Sequence, residues 1–149
     1  MNTITRLFDF PYYQLEKYNL KEALVTKYGN EWIKTSTEEY IAKANAFSRG
    51  LLRLGIKKND KVAVISSNNR TEWNIVDIGI LQTGAQNVPV YPTISEEDYE
   101  YILNHCGAIY CIVSDKELYD KIVKIRHRLP NLKEIYSFVG INGCKGWNE

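Results

Sequence analysis

Lys61-Val62-Ala63-Val64-Ile65-Ser66 is a short β-branched run opened by a lysine and closed by serines, and its reading decides the fold. Three runs of the same kind follow: Gln86 to Val90, Ala108 to Val113 and Glu134 to Val139. The four begin 25, 22 and 26 residues apart. Each gap holds one helix-length segment, so parallel pairing through crossover helices is expected, each crossover right-handed. The fold class is therefore α/β, a parallel β-sheet with crossover helices.

The connecting helices are expected over Thr71 to Thr83, Ser95 to Cys106 and Asp115 to Leu129. Ser114 and Glu117 have capping-box spacing at the start of the last, Pro130 closes it, and Leu118, Ile122, Ile125 and Leu129 form its buried stripe. The first carries Trp73, Ile75, Val76, Ile78, Ile80 and Leu81, apolar on most sides, as in a layer covered from two directions. Asp77 and Asn74 mark its polar edge.

Upstream, Ser36 and Glu39 form a capping box for a helix whose face is Tyr40, Ala44, Phe47, Leu51 and Leu54. Gly55 stands where a left-handed residue ends such a helix, with Ile56 packing back on Leu51. A hairpin is expected around Gly29-Asn30, its strands Ala23 to Tyr28 and Glu31 to Thr35. Before it lies an aromatic, turn-rich lead-in from Leu7 to Tyr13. The tail, Gly140 to Glu149, loses periodicity and reads as a loop. The chain thus divides into a lead-in and hairpin (1–35), an α/β subdomain (36–139) and an outgoing loop (140–149).

The chain has 149 residues, 44% of them hydrophobic and 25% charged, and a formal net charge of +1. A domain of that size buries about 70% of its unfolded surface and needs neither metal nor disulfide for a core. With no basic half, nucleic acid is not an expected partner. Cys106, Cys111 and Cys144 have no Cys-x-x-Cys spacing and read as reduced thiols, with Cys106 and Cys111 packing as small hydrophobes. Neither a secretory leader nor a membrane span is expected, which points to a cytoplasmic setting.

Several chemistries fail on residue type or spacing. A dinucleotide site needs glycines after its first strand, and Ser67-Asn68-Asn69-Arg70 stands there. Gly140-Ile141-Asn142-Gly143-Cys144-Lys145-Gly146 has neither the spacing nor the hydroxyl of a Walker loop. No nucleophile elbow surrounds Ser66 or Ser67, and His105, Cys106, Cys111 and Cys144 match no zinc spacing. Asp115 reads as a residue of a first helical turn, and Lys121, Lys124 and Arg128 as a solvated helix face. No catalytic, cofactor-binding or metal residue is assigned. Ligands of open parallel sheets gather beyond the carboxyl ends of the strands. That singles out Asn68, Asn69, Tyr91, Pro92 and Thr93 as substrate neighbours.

Three stretches carry a resemblance. Leu54-Gly55-Ile56-Lys57-Lys58-Asn59-Asp60-Lys61-Val62-Ala63 is similar to L-G-[IV]-x-x-G-D-x-V-A, with Asn59 for the usual glycine. Asparagine tolerates the left-handed region that the turn requires. Asn69-Arg70-Thr71-Glu72-Trp73 resembles N-R-P-E-W with Thr71 for proline, and its Asn69 and Glu72 also have capping spacing. Gly84-Ala85-Gln86-Asn87-Val88-Pro89-Val90-Tyr91-Pro92-Thr93 resembles G-A-x-x-V-P-x-Y-x-T. Together they resemble the N-terminal part of AMP-forming long-chain acyl-CoA synthetases, in the adenylate-forming superfamily, from about Tyr18 to Val139.

The resemblance implies part of a large N-terminal domain and a ligase that uses ATP, Mg2+ and CoA on a fatty acid. The family's Ser/Thr/Gly-rich phosphate loop, its Y-G-x-T-E motif, its ribose-binding aspartate and its C-terminal-domain lysine have no counterpart in this sequence. The expectation is an N-terminal scaffold, inactive alone, and compatible with a homodimer and with peripheral contact at the inner face of a membrane. Two alternatives stand beside it: a fragment of another acyl- or aryl-adenylating enzyme, and a free-standing flavodoxin-like module without catalysis.

Overall fold

The computed structural model describes residues 4–149, which form two compact units, 4–56 with Asn69–Thr83 and Lys57–Asn68 with Gly84–Glu149.

In the first unit the aromatic lead-in is helical, not a run of turns. A 3-10 turn, Leu7–Asp9, enters helix α1, Phe10–Lys17. Proline is tolerated in a first helical turn because its missing N–H would be unpaired there anyway, and Pro11 sits in that turn, buried. Strands β1 (Leu24–Tyr28) and β2 (Glu31–Thr35) form the expected hairpin, Tyr28 opposite Glu31 across Gly29-Asn30. Helix α2, Thr37–Arg53, opens on the capping box: Glu39 N donates to Ser36 Oγ (3.1 Å) and Ser36 N to Glu39 Oε2 (2.8 Å). It ends as the sequence demands. Gly55 has φ +80°, Ile56 N donates to Leu51 O and Gly55 N to Leu52 O, the pair of bonds that defines a Schellman stop.

Helix α3, Thr71–Gln82, packs on α2. Ile75, Val76, Ile78 and Ile80 are buried, while Asn74 and Asp77 are half-buried on the polar edge. Its start departs from expectation. Asn69 does not cap it; Arg70 is the N-cap, and its side chain makes no capping bond. Thr26 Oγ1 on β1 accepts from Thr71 N instead (2.8 Å). Glu72 turns to Arg70 and Tyr28: Arg70 donates from Nε (3.1 Å) and Nη2 (2.8 Å), and the Tyr28 hydroxyl donates to Oε1 (2.6 Å). The N-R-x-E-W stretch thereby ties the hairpin to α3.

The second unit is the sheet: β3 (Lys61–Ile65), β4 (Gln86–Val90), β5 (Ala108–Val113), β6 (Glu134–Ser137) and β7 (Lys145–Gly146), in the order β4-β3-β5-β6-β7, all parallel. Asn59 (φ +68°) takes the left-handed position before β3, and its N–H donates to Gly84 O (2.9 Å). Helix α4, Glu96–Cys106, is capped by Ser95 and stopped by left-handed Gly107. Helix α5 spans Lys116–Ile125 and continues as a 3-10 turn, Arg126–Arg128. Ala63, Ile65, Cys111, Val113 and Ile135 of the sheet share one core with Tyr99 and Leu103 of α4 and Leu118 and Ile122 of α5, and Cys106 packs against it.

Three expectations are corrected here. Asp115, not Ser114, caps α5, its Oδ1 accepting from Leu118 N (3.1 Å). β6 ends at Ser137, two residues early, and the tail adds β7 beside it, Trp147 N donating to Ser137 O (3.0 Å) with the indole edge-on to Phe138. The basic face of α5 is paired rather than merely solvated: Lys124 with Glu96 (2.8 Å), Arg128 with Glu100 (2.6 Å) and Lys121 with Glu117 (2.9 Å). No described helix is long and apolar enough to cross a membrane.

Candidate functional site

Counted within the sheet, the order β4-β3-β5-β6-β7 is 2-1-3-4-5. An open parallel sheet of that order binds ligands where the chain direction reverses, beyond the carboxyl ends of its first and third strands. Here those are β3 and β5, and the segments leaving them are Ser66–Asn68 and Ser114–Asp115.

A hydrogen-bonded cluster occupies that edge. Ser67 N donates to Ser114 Oγ (2.9 Å). Ser67 Oγ and Ser114 Oγ both donate to Asp115 Oδ2 (2.7 Å each), whose other oxygen caps α5. Ser114 N donates to Ile65 O (3.0 Å), continuing the β3–β5 ladder one residue past its end. Ser66 Oγ donates to Asn68 O (2.7 Å), which turns the chain out of β3. Burial works to raise the Asp115 pKa, but the two serine hydroxyls and the amides at the start of α5 outweigh it and hold the carboxyl below its ordinary value.

That direction fixes a sign. The cluster stabilises the fold fully above the ordinary aspartate pKa, and the contribution is lost as pH falls through the lower folded value. Asp115→Ala is expected to lower stability by about 1–2 kcal/mol at neutral pH through loss of the cap and of two hydroxyl partners. The difference from the parent should shrink in acid, which urea unfolding at two pH values would show; a pH-independent difference would sever the link to ionisation.

The sequence-derived neighbours fall as follows. Asn68 and Tyr91-Pro92-Thr93 leave adjacent strands of one edge, since Ile65 pairs with Val90. Asn69 belongs to the first unit. Tyr91 is 80% exposed, while its carbonyl accepts from the buried Tyr99 hydroxyl (3.0 Å). Desolvation, aided by nearby acidic groups, pushes the Tyr99 pKa up to about 12, so the phenol stays a donor. The residues that sequence reasoning passed over are Ser67, Ser114 and Asp115.

The edge is a poor phosphate cradle. Ser67 N–H, the amide best placed beyond β3 to meet an anion, is committed to Ser114, and the ionised Asp115 faces the same segment. Among the described residues no three His, Cys, Asp or Glu side chains are grouped to hold a metal ion. Cys111 is sealed in the core, where desolvation pushes its thiol pKa up to about 12. These residues do not fit a nucleotide with its magnesium; they fit a rigid framework from which neighbouring segments can line a site.

Long-chain-fatty-acid–CoA ligase ACSBG2 of Xenopus laevis is 30% identical over 124 residues, 83% of this chain and 17% of its own. Long-chain-fatty-acid–CoA ligase ACSBG1 of Homo sapiens is 32% identical over 133 residues, 89% of this chain and 18% of its own. The chain thus spans less than a fifth of these relatives. In structure, the anthranilate CoA ligase AuaEII in complex with anthranoyl-AMP superposes with a TM-score of 0.83 at 26% identity, covering 99% of this chain and 27% of that one. A red-emitting luciferase from Phrixothrix hirtus has the same fold, with a TM-score of 0.82 at 20% identity, over 99% of this chain and 36% of that one. The family described as AMP-binding enzyme matches residues 12–142, both strands of the switch point included, and the chain belongs to that family.

Proposed function

We propose that this chain is the N-terminal scaffold of a long-chain fatty acid–CoA ligase. In that reaction a fatty-acid carboxylate oxygen attacks the α-phosphorus of ATP and pyrophosphate leaves. The CoA thiol then attacks the acyl carbon of the adenylate, giving the thioester and AMP. Magnesium would offset phosphate charge as the bond to pyrophosphate breaks. The observation that carries this reading is the 30–32% identity to two long-chain ligases over most of the chain.

ATP, Mg2+ and CoA would be held by residues outside these 149, because the edge described here is already satisfied internally. The chain alone would be inactive, and fatty-acid-dependent ATP–pyrophosphate exchange by it would overturn that statement. Asn68, Asn69, Tyr91, Pro92 and Thr93 would border the acid. A cytoplasmic enzyme touching the inner face of a membrane would meet long-chain acids where they partition.

Tyr91 offers a direct test of the border. Its exposed ring contributes little to packing, so Tyr91→Ala should change stability by less than about 0.5 kcal/mol. In the intact enzyme it should change the KM or kcat for the acid severalfold. Unchanged kinetics with a lower melting point would make Tyr91 structural. A second reading, an aryl-acid ligase, is favoured by the AuaEII superposition. Exchange driven by palmitate and not by anthranilate would decide for the long-chain ligase, and the reverse for the aryl enzyme.

A further inference from the structure

A strand edge with unpaired backbone groups is a template for a further strand unless something blunts it. The two sheets end at β1, β2, β4 and β7, and all but β2 are blunted. Gln86 N donates to Asp60 O on the β3 side of β4 (2.8 Å), so the alternate residues Asn87 and Pro89 face away, and Pro89 has no N–H to offer. β7 has only two residues. β1 is tied to the start of α3 through Thr26 and Tyr28.

On β2 the residues Glu31 to Lys34 are all exposed, Trp32 by 63% and Ile33 by 46%. The loop Gly29-Asn30, with Gly29 at φ +58°, closes the hairpin on Tyr28 and Glu31, which bond to each other across it. Pairs alternate from there, so Ile33 and Thr35 bond inward to β1 while Trp32 and Lys34 aim their N–H and C=O outward. Among the described residues none bonds to those outward groups. A lysine on an edge ordinarily repels an incoming strand, but Lys34 is neutralised by Glu22 (2.5 Å).

We propose that β2 pairs antiparallel with β2 of a second copy of this chain, about a two-fold axis at Ile33. Such an axis requires outward-facing residues to meet outward-facing ones, which leaves registers centred on Trp32, Ile33 or Lys34. Centring on Lys34 sets two ammonium groups opposite each other, and centring on Trp32 sets the Glu31 carboxylate against Ile33 of the second copy. Centring on Ile33 avoids both. Trp32 then exchanges backbone bonds with Lys34 of the second copy and takes its ammonium and stem along the indole, the same pairing that Lys27 makes with Trp32 inside the hairpin (5.7 Å). Ile33 packs on its own copy at the closely spaced, non-hydrogen-bonded position. This interface is independent of the ligase reading and stands or falls without it.

A five-residue edge buries less than the roughly 1,200 Å² at which stable complexes begin, so the dimer is weak. Sedimentation equilibrium of the 149-residue chain from about 5 to about 500 μM should show monomer and dimer with a dissociation constant of about 10 to 100 μM. Trp32→Lys sets like charges opposite each other, and Lys34→Pro removes an outward N–H while leaving the bonds to β1 in place; each should weaken the dimer by about tenfold or more. The register has its own readout. In Ile33→Cys the two substituted positions lie about 4.5 Å apart between Cα atoms, so oxidised glutathione should link them by a disulfide between copies far faster than it links the parent through its native cysteines. A chain that stays monomeric throughout the range, a dimer that either variant leaves intact, or an Ile33→Cys chain that crosslinks no faster than the parent would each overturn the proposal.

Discussion

Glu72→Ala should lower the stability of the chain by about 3–5 kcal/mol, because it strands a charge in a place water barely reaches. The Arg70 and Glu72 side chains are 8% and 14% exposed, the guanidinium meets both carboxylate oxygens, and Tyr28 completes the set with a hydroxyl bond and a ring under the cation (5.6 Å). Removing the carboxylate leaves Arg70 desolvated and without its acidic partner, which costs more than the pair contributes when intact. Replacing both members, Arg70→Met with Glu72→Leu, should recover most of the loss. Urea midpoints of the parent, the single and the double variant check this. A single variant within about 0.5 kcal/mol of the parent would mean that water reaches the pair freely.

Glu72 also has a pH signature. Burial favours its neutral form, but bonds from Arg70 and Tyr28 prevail and hold the pKa below the ordinary carboxylate value. Its contribution is present in full above the unfolded pKa and disappears as pH falls through the folded one. Acid should therefore loosen the hairpin from α3, and Glu72→Ala should flatten that part of the pH dependence.

Gly79→Val should cost about 1–3 kcal/mol by overpacking, the second large effect. At Gly79 the backbone of α3 lies directly against α2. A Cβ there would stand 2.7 Å from Phe47 Cδ1 and 3.0 Å from Ala44 O. The phenyl ring can turn; the Ala44 carbonyl belongs to the helix and cannot move without it. Gly79→Ala alone should be destabilising, although alanine is the better helix former. Phe47→Leu should relieve part of it, and thermal unfolding of the four proteins measures the coupling. An alanine variant as stable as the parent would show that the helices can separate at no cost.

The elements that could be read from sequence are those whose signals are local. The Ser36–Glu39 box, the Gly55 stop and the Asn59 turn each involve residues within five positions, and each stands where the residue types require. The cap of α3 was not legible, because the oxygen that meets Thr71 N belongs to Thr26, 45 residues earlier. The lead-in misled through its aromatics and Pro11, which mark a turn or a helix start equally well. The tail strand, two residues long, has no periodicity to detect.

The strand-edge cluster was hidden for a deeper reason. Ser67, Ser114 and Asp115 are ordinary cap and turn residues one at a time, and only the placement of β5 beside β3 joins them. A crossover of 22 to 26 residues tells that strands are parallel without telling on which side of β3 the next one inserts. The sequence-derived site therefore leaned toward β4, at Tyr91 to Thr93, whereas the reversal of direction lies between β3 and β5.

The scaffold reading has one requirement that a single determination meets: the chemistry it lacks must be encoded downstream. Reading the coding region past Glu149 should reveal a Ser/Thr/Gly-rich loop ending in lysine, followed by Y-G-x-T-E. A stop codon directly after Glu149 would contradict the ligase and leave a small α/β protein whose ligand must be found by binding alone.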